Sequence, residues 1–118
     1  MMAEEQLKYE LDAEDGRFLL SLRTELRWDK QAFRNLTSAM YHVALDYQGA
    51  DSLPTWIAHG FWFCDTLVRD WTTHENFPRP EQEYYEKSLL LLSDLAHFLF
   101  VGESPYSDET LERLACCL

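Results

Sequence analysis

The clearest chemical signal in the sequence is Asp94-Leu-Ala-His97, an acid three residues before a histidine. Helical bundles hold metals with such pairs, which lie on one helix face, when a second pair and further carboxylates converge on the same point. The second pair is missing, because Ala39 stands three residues before His42 and Trp56 three residues before His59. Asp46 follows His42 by one turn and is spaced to share a single ion with it, yet His-x-x-x-Asp alone is a weak metal signature. Asp94, His97, His42 and Asp46 therefore define a secondary reading, a metal-binding or small-molecule-binding bundle, and no cofactor is expected.

Glu83 with Glu86 and Glu109 with Glu112 form two more carboxylate pairs at one-turn spacing. Helical phosphohydrolases use such pairs to hold Mg²⁺, a hard cation that takes several oxygen ligands. Both pairs lie beside helix starts, where the helix dipole favours acids without any ligand. No basic cluster is available to hold a polyphosphate. A metal-dependent phosphohydrolase is thus the alternative function and solvated acids the expected one. Nucleophilic chemistry has even less support. Cys64 lies on a regular apolar stripe, where a thiol is usually an inert core residue, and Cys116 and Cys117 have only Arg113 nearby as a base. There is no G-x-S-x-G, P-loop or dinucleotide glycine pattern. The expectation is a protein that is not an enzyme.

Recognition is better provided for. Trp56-Ile-Ala-His-Gly-Phe-Trp-Phe-Cys-Asp-Thr-Leu-Val-Arg-Asp-Trp71 is apolar almost all the way round a predicted helix. Such a helix must be enclosed by its own domain or covered by something else. Ile57, Gly60, Phe61, Cys64, Leu67, Val68 and Trp71 follow a core spacing of three and four, whereas Trp56, Trp62 and Phe63 lie off that stripe. Enclosure by neighbouring helices, with this helix central, is the plain expectation for Trp56 and Phe63. Trp62 shares a line with Asp65 and Arg69, a mixture that suits the rim of a contact surface. The candidate partner-binding set is Trp56, Trp62, Arg69, Tyr41, Asp65 and Asp70, bordered by the acids between Glu81 and Glu86. Gly60, mid-helix and without a side chain, is expected to admit a close neighbour.

The elements that must position these residues are marked by clear punctuation. Asp29 is placed to cap a helix from Lys30 to about Tyr47, stopped by Gly49, with Phe33, Leu36, Met40, Val43 and Tyr47 inward. Ser52 and Pro54 read as the cap and first turn of the aromatic helix, which should end near Thr73 or His74. Pro80 opens another helix that closes at Gly102, with Tyr85, Ser88, Leu89, Leu92, Leu95, Ala96 and Leu99 inward. Ser107, followed by Asp108 and Glu109, caps a short last helix through Leu111 and Leu114. Near the start, Asp12 to Asp15 suits the beginning of a helix reaching Arg27, with Leu19, Leu22 and Leu26 inward. Leu7, Tyr9 and Leu11 alternate as a strand would, but a lone strand has no partner here, so residues 1–12 are read as a helical or extended arm. The fold class is all-α: one domain over residues 1–118, an antiparallel four-helix bundle-like arrangement closed by a short C-terminal fifth helix.

The chain has 118 residues, 47% hydrophobic and 26% charged, which suits one self-supporting globular domain. Its formal net charge is −11, with 21 acids against 10 bases. Residues 73–118 carry 9 acids and 3 bases and are the most acidic part. That field disfavours direct contact with nucleic acid or anionic lipid; a basic protein partner fits it better. An odd cysteine count without a CxxC pair suits a reducing compartment. The acidic start is unlike a signal peptide and the greasiest stretch, Leu89 to Val101, is too short to span a bilayer, so the expected place is the cytoplasm. The resulting expectation is a non-enzymatic acidic helical protein that binds another protein, in general character like an immunity or inhibitor protein. Self-association, with a second copy covering Trp62, is a variant of the same idea.

Overall fold

A computed structural model describes residues 2–12, 17–73, 77–102 and 108–117, without the side chains of residues 108–110 and 117. These residues form six helices and no strand: α1 (Ala3–Leu11), α2 (Phe18–Thr24), α3 (Lys30–Asp46), α4 (Thr55–Thr72), α5 (Gln82–Val101) and α6 (Asp108–Cys117). None of them is long and apolar enough to cross a membrane.

The predicted helix boundaries hold best where local chemistry enforces them. Asp29 accepts the Ala32 N–H at 3.0 Å and so satisfies one of the unpaired donors at the start of α3. Gly102 closes α5 in the left-handed conformation, with φ of 82° and its N–H on the Phe98 carbonyl. Ser52 does not cap α4: that helix begins at Thr55, directly after Pro54, with no side-chain cap. The expected cap at Ser107 and the segment 13–16, where a helix was expected to start, lie outside the described residues.

In the N-terminal third the helical alternative for the arm holds and one helix end departs from expectation. Residues 3–11 are helical, with Leu7 fully buried and Tyr9 exposed, because α1 packs on α3 and needs a helical rather than an alternating apolar face. The helix expected to reach Arg27 stops at Thr24. Leu26 takes a φ of 50°, and the Arg27 N–H folds back onto the Ser21 carbonyl at 3.0 Å. That left-handed residue ends the helix, so Leu19 and Leu22 are buried as expected while Leu26 is 53% exposed.

The centre of the molecule is α3, which packs against α1, α2, α5 and α6. The aromatic helix α4, expected to be central, makes its main contacts with α5 and α2. An aromatic cluster pins this arrangement. Trp28 packs against Phe18, Phe33, Tyr84 and Tyr85, with ring centroids 4.9 to 6.2 Å apart, and donates its indole N–H to the Tyr84 hydroxyl at 3.2 Å. One turn further along α3 from Phe33, Thr37 donates to the Ala115 carbonyl at 2.5 Å and so ties α6 to the hub. Tyr47 donates to Glu4, tying α1 to it as well.

Candidate functional site

α4 and α5 are antiparallel, as their cross-links show. The Thr72 and Tyr85 hydroxyls meet at 2.5 Å, whereas Asp65 and Arg69, earlier in α4, both meet Ser93, later in α5. Ser93 donates to Asp65 Oδ1 at 2.7 Å, and Arg69 Nη2 donates to Ser93 Oγ at 2.9 Å. Arg69 also pairs with Asp65 at 3.3 Å and donates to the Asp65 carbonyl at 3.2 Å. The three side chains make a closed clamp in which each charge has a partner.

Trp62 stands one turn before Asp65 and is 53% exposed, its ring 6.0 Å from that of His59. The antiparallel register sets Trp62 beside the turn of α5 that follows Ser93. That part of α5 exposes His97, Phe100 and Val101, and Leu90 is exposed on the other side of Ser93. The opposite end of the pair is acidic, with Asp70, Glu81, Glu83 and Glu86 all exposed. The face is thus a strip: apolar at Trp62 and Phe100, clamped in the middle, negative at Asp70 and Glu86.

The other sequence candidates fall elsewhere. Tyr41 does not belong to this surface. It is 3% exposed, stacked on Phe98 with ring planes 14° apart. Because α3 is surrounded, this aromatic position is part of the core rather than a rim. Trp56 is 38% exposed and turns toward a separate cavity of about 480 Å³ between α1, α2 and α4, which Phe63, His59 and Trp71 also line. The expectation that neighbouring helices would enclose Trp56 and Phe63 is met only partly. Gly60 has the close neighbour expected of it: a Cβ there would lie 2.5 Å from Leu11 Cδ1.

The four metal candidates are not gathered. His42 and Asp46 line a polar recess between α1 and α3 with Gln6 and Asn35, and His42 Nδ1 sits 2.8 Å from the Ser38 carbonyl. Asp94 and His97 are on α5. Among the described residues no three His, Cys, Asp or Glu side chains form a cluster that could hold an ion. Glu83 is engaged by Lys87 at 3.2 Å and Glu86 by Gln82 at 2.7 Å. Cys64 is fully buried, and burial, reinforced by the Asp65 charge, pushes its thiol pKa up to about 12. A thiol held protonated is a poor nucleophile.

Comparison with protein-family models, with curated proteins and with solved structures gives no match, so the functional reading rests on the residues of this chain. Sequence reasoning located Trp62, Asp65 and Arg69 on one line but missed Ser93, Leu90 and Phe100. Their place along the α4/α5 face depends on how two helices are docked, and no spacing within one helix encodes that.

Proposed function

We propose that this protein is a non-enzymatic recognition module that binds a basic protein through the exposed face of α4 and α5. The observation that carries the reading is Trp62, half exposed and one turn before the Asp65–Arg69–Ser93 clamp. A large aromatic side chain with few torsions loses little entropy on binding and is a favoured anchor of protein contacts. Leu90, Phe100 and Val101 extend the apolar area. Asp70, Glu81, Glu83 and Glu86 supply a negative border that would speed encounter with a positive partner. The overall charge of −11 acts in the same direction.

Asp65 and Arg69 enter this proposal in a changed role. Their mutual pairing and their bonds to Ser93 make them a link between α4 and α5 more than free contact groups. A four-helix core with the flanking helices packed around it and a cytoplasmic location complete the proposal. An immunity or inhibitor role fits a small acidic binder without catalytic groups.

The test is paired capture from the source cells with the wild-type protein and Trp62→Ala, at low and moderate salt. A basic protein retained in stoichiometric amount by the wild type, lost with the variant and weakened by salt, supports the reading. Equal retention by both removes the α4/α5 face from it. A wild-type protein that sediments as a dimer and a Trp62→Ala variant that sediments as a monomer would make a second copy the partner.

A further inference from the structure

The cavity between α1, α2 and α4 combines an apolar aromatic lining with two bases at its rim. Leu19 and Gly60 are buried at its floor, Leu11, Phe63 and Trp71 form half-buried walls, and Trp56 stands at the edge. Its volume of about 480 Å³ lies within the range of small-molecule sites. Among the described residues two exposed bases, Lys8 from α1 and Arg23 from α2, reach its rim against one acid, Asp12. In a chain with 21 acids and 10 bases that local excess of positive charge runs against the general field. The ion pairs among the described residues engage Arg27, Arg69 and Lys87, and neither Lys8 nor Arg23 takes part in one.

Among the described residues the rim therefore offers two cations against one carboxylate, with the His59 ring beside them. A ligand that completes it must bring acceptors and negative charge on a flat apolar body, because the walls are aromatic rings and leucine side chains.

We propose that this cavity binds a small aromatic carboxylate, its ring held among Trp56, Phe63 and Trp71 and its carboxylate met by Lys8 and Arg23. The site is separate from the α4/α5 face and does not depend on the protein-binding reading. Leu11 closes one wall by seating against Gly60, so α1 is part of the site.

The four tryptophan indole N–H resonances of ¹⁵N-labelled protein report where a ligand sits, and the probes are 1-naphthoate and its neutral counterpart 1-naphthamide. Saturable shifts of Trp56 and Trp71 with naphthoate are expected, with Trp28 and Trp62 still. Naphthoate should bind about tenfold or more tightly than the amide, the difference made by a charge-assisted contact. Lys8→Gln with Arg23→Gln, both exposed and outside the core, should reduce naphthoate to the affinity of the amide without changing the circular dichroism. Absence of saturable shifts overturns the proposal. So do shifts confined to Trp62 or Trp28, equal binding of the two probes, and naphthoate binding that survives the double substitution.

Discussion

Arg69 donates to Ser93 at 2.9 Å across the α4/α5 boundary, and the Ser93 hydroxyl donates in turn to Asp65 at 2.7 Å, so one small hydroxyl joins two helices one turn from the exposed Trp62. The clamp and the anchor are different in kind. Ser93→Ala removes an acceptor from Arg69 and a donor from Asp65 in a half-buried setting. It should cost about 1 kcal/mol of stability, read as a lower midpoint in urea unfolding with unchanged slope.

Trp62→Ala should behave in the opposite way. Its side chain is mostly in solvent, so unfolding should shift by no more than about 0.5 kcal/mol. Partner affinity should drop about 30-fold or more, as expected when a central aromatic is truncated. Measuring both quantities on the same preparation separates a lost anchor from a lost fold.

Cys64 gives a pH prediction with a definite sign. Its thiol pKa rises from the ordinary 9.0 to about 12 on folding, mainly because burial disfavours the thiolate. Between those values the folded state keeps a proton that the unfolded state has lost. Stability should therefore fall as pH rises through that window, and Cys64→Ala should unfold with a flatter dependence there. At neutral pH the same thiol should react with a disulfide reagent only as fast as the protein opens.

Glu10 reports on the attachment of α1. It is buried, bonded to Gln6 at 2.9 Å, and its carboxyl pKa is raised above 4.5, with burial outweighing the Gln6 bond and the Arg17 charge. A raised carboxyl pKa means that the folded state holds its proton to higher pH than the unfolded state, so ionisation weakens folding as pH rises above 4.5. Glu10→Gln should be more stable than the wild type at pH 7, with the advantage shrinking as the pH is lowered toward that value. An unchanged difference across the range would contradict this account of Glu10.

Leu26 holds a left-handed φ of 50° with its side chain largely in solvent. A non-glycine residue in that conformation costs roughly 1–2 kcal/mol, part of which glycine returns as chain entropy in the unfolded state. Leu26→Gly should raise stability by about 0.5 kcal/mol, seen as a higher melting temperature. Leu26→Val should lower it, since branching at Cβ worsens the crowding.

The helical class of the fold and the inner faces of α3, α4 and α5 were legible because periodicity and caps act within one element. Ile57, Phe61, Cys64 and Val68 are all fully buried as their spacing predicts, and Asp29 caps where expected. Leu26 was not legible, since its helical spacing continues past the point where the backbone turns left-handed. Tyr41 was misassigned for a related reason: burial depends on α3 being the hub, and that follows from docking rather than from any run of residues. The same holds for the cavity. Lys8, Arg23 and Trp71 are distant in sequence and meet only because α1 and α2 lie across α4.

The most direct measurement is photo-crosslinking in the source cells with p-benzoylphenylalanine at position 62, and at exposed Leu45 on α3 as the control. The expected result is one major adduct from position 62 to a single basic protein, weakened by neutralising Asp70, Glu83 and Glu86 together, and no such adduct from position 45. Adducts from both positions to the same protein, or from position 62 to none, would contradict recognition through the α4/α5 face.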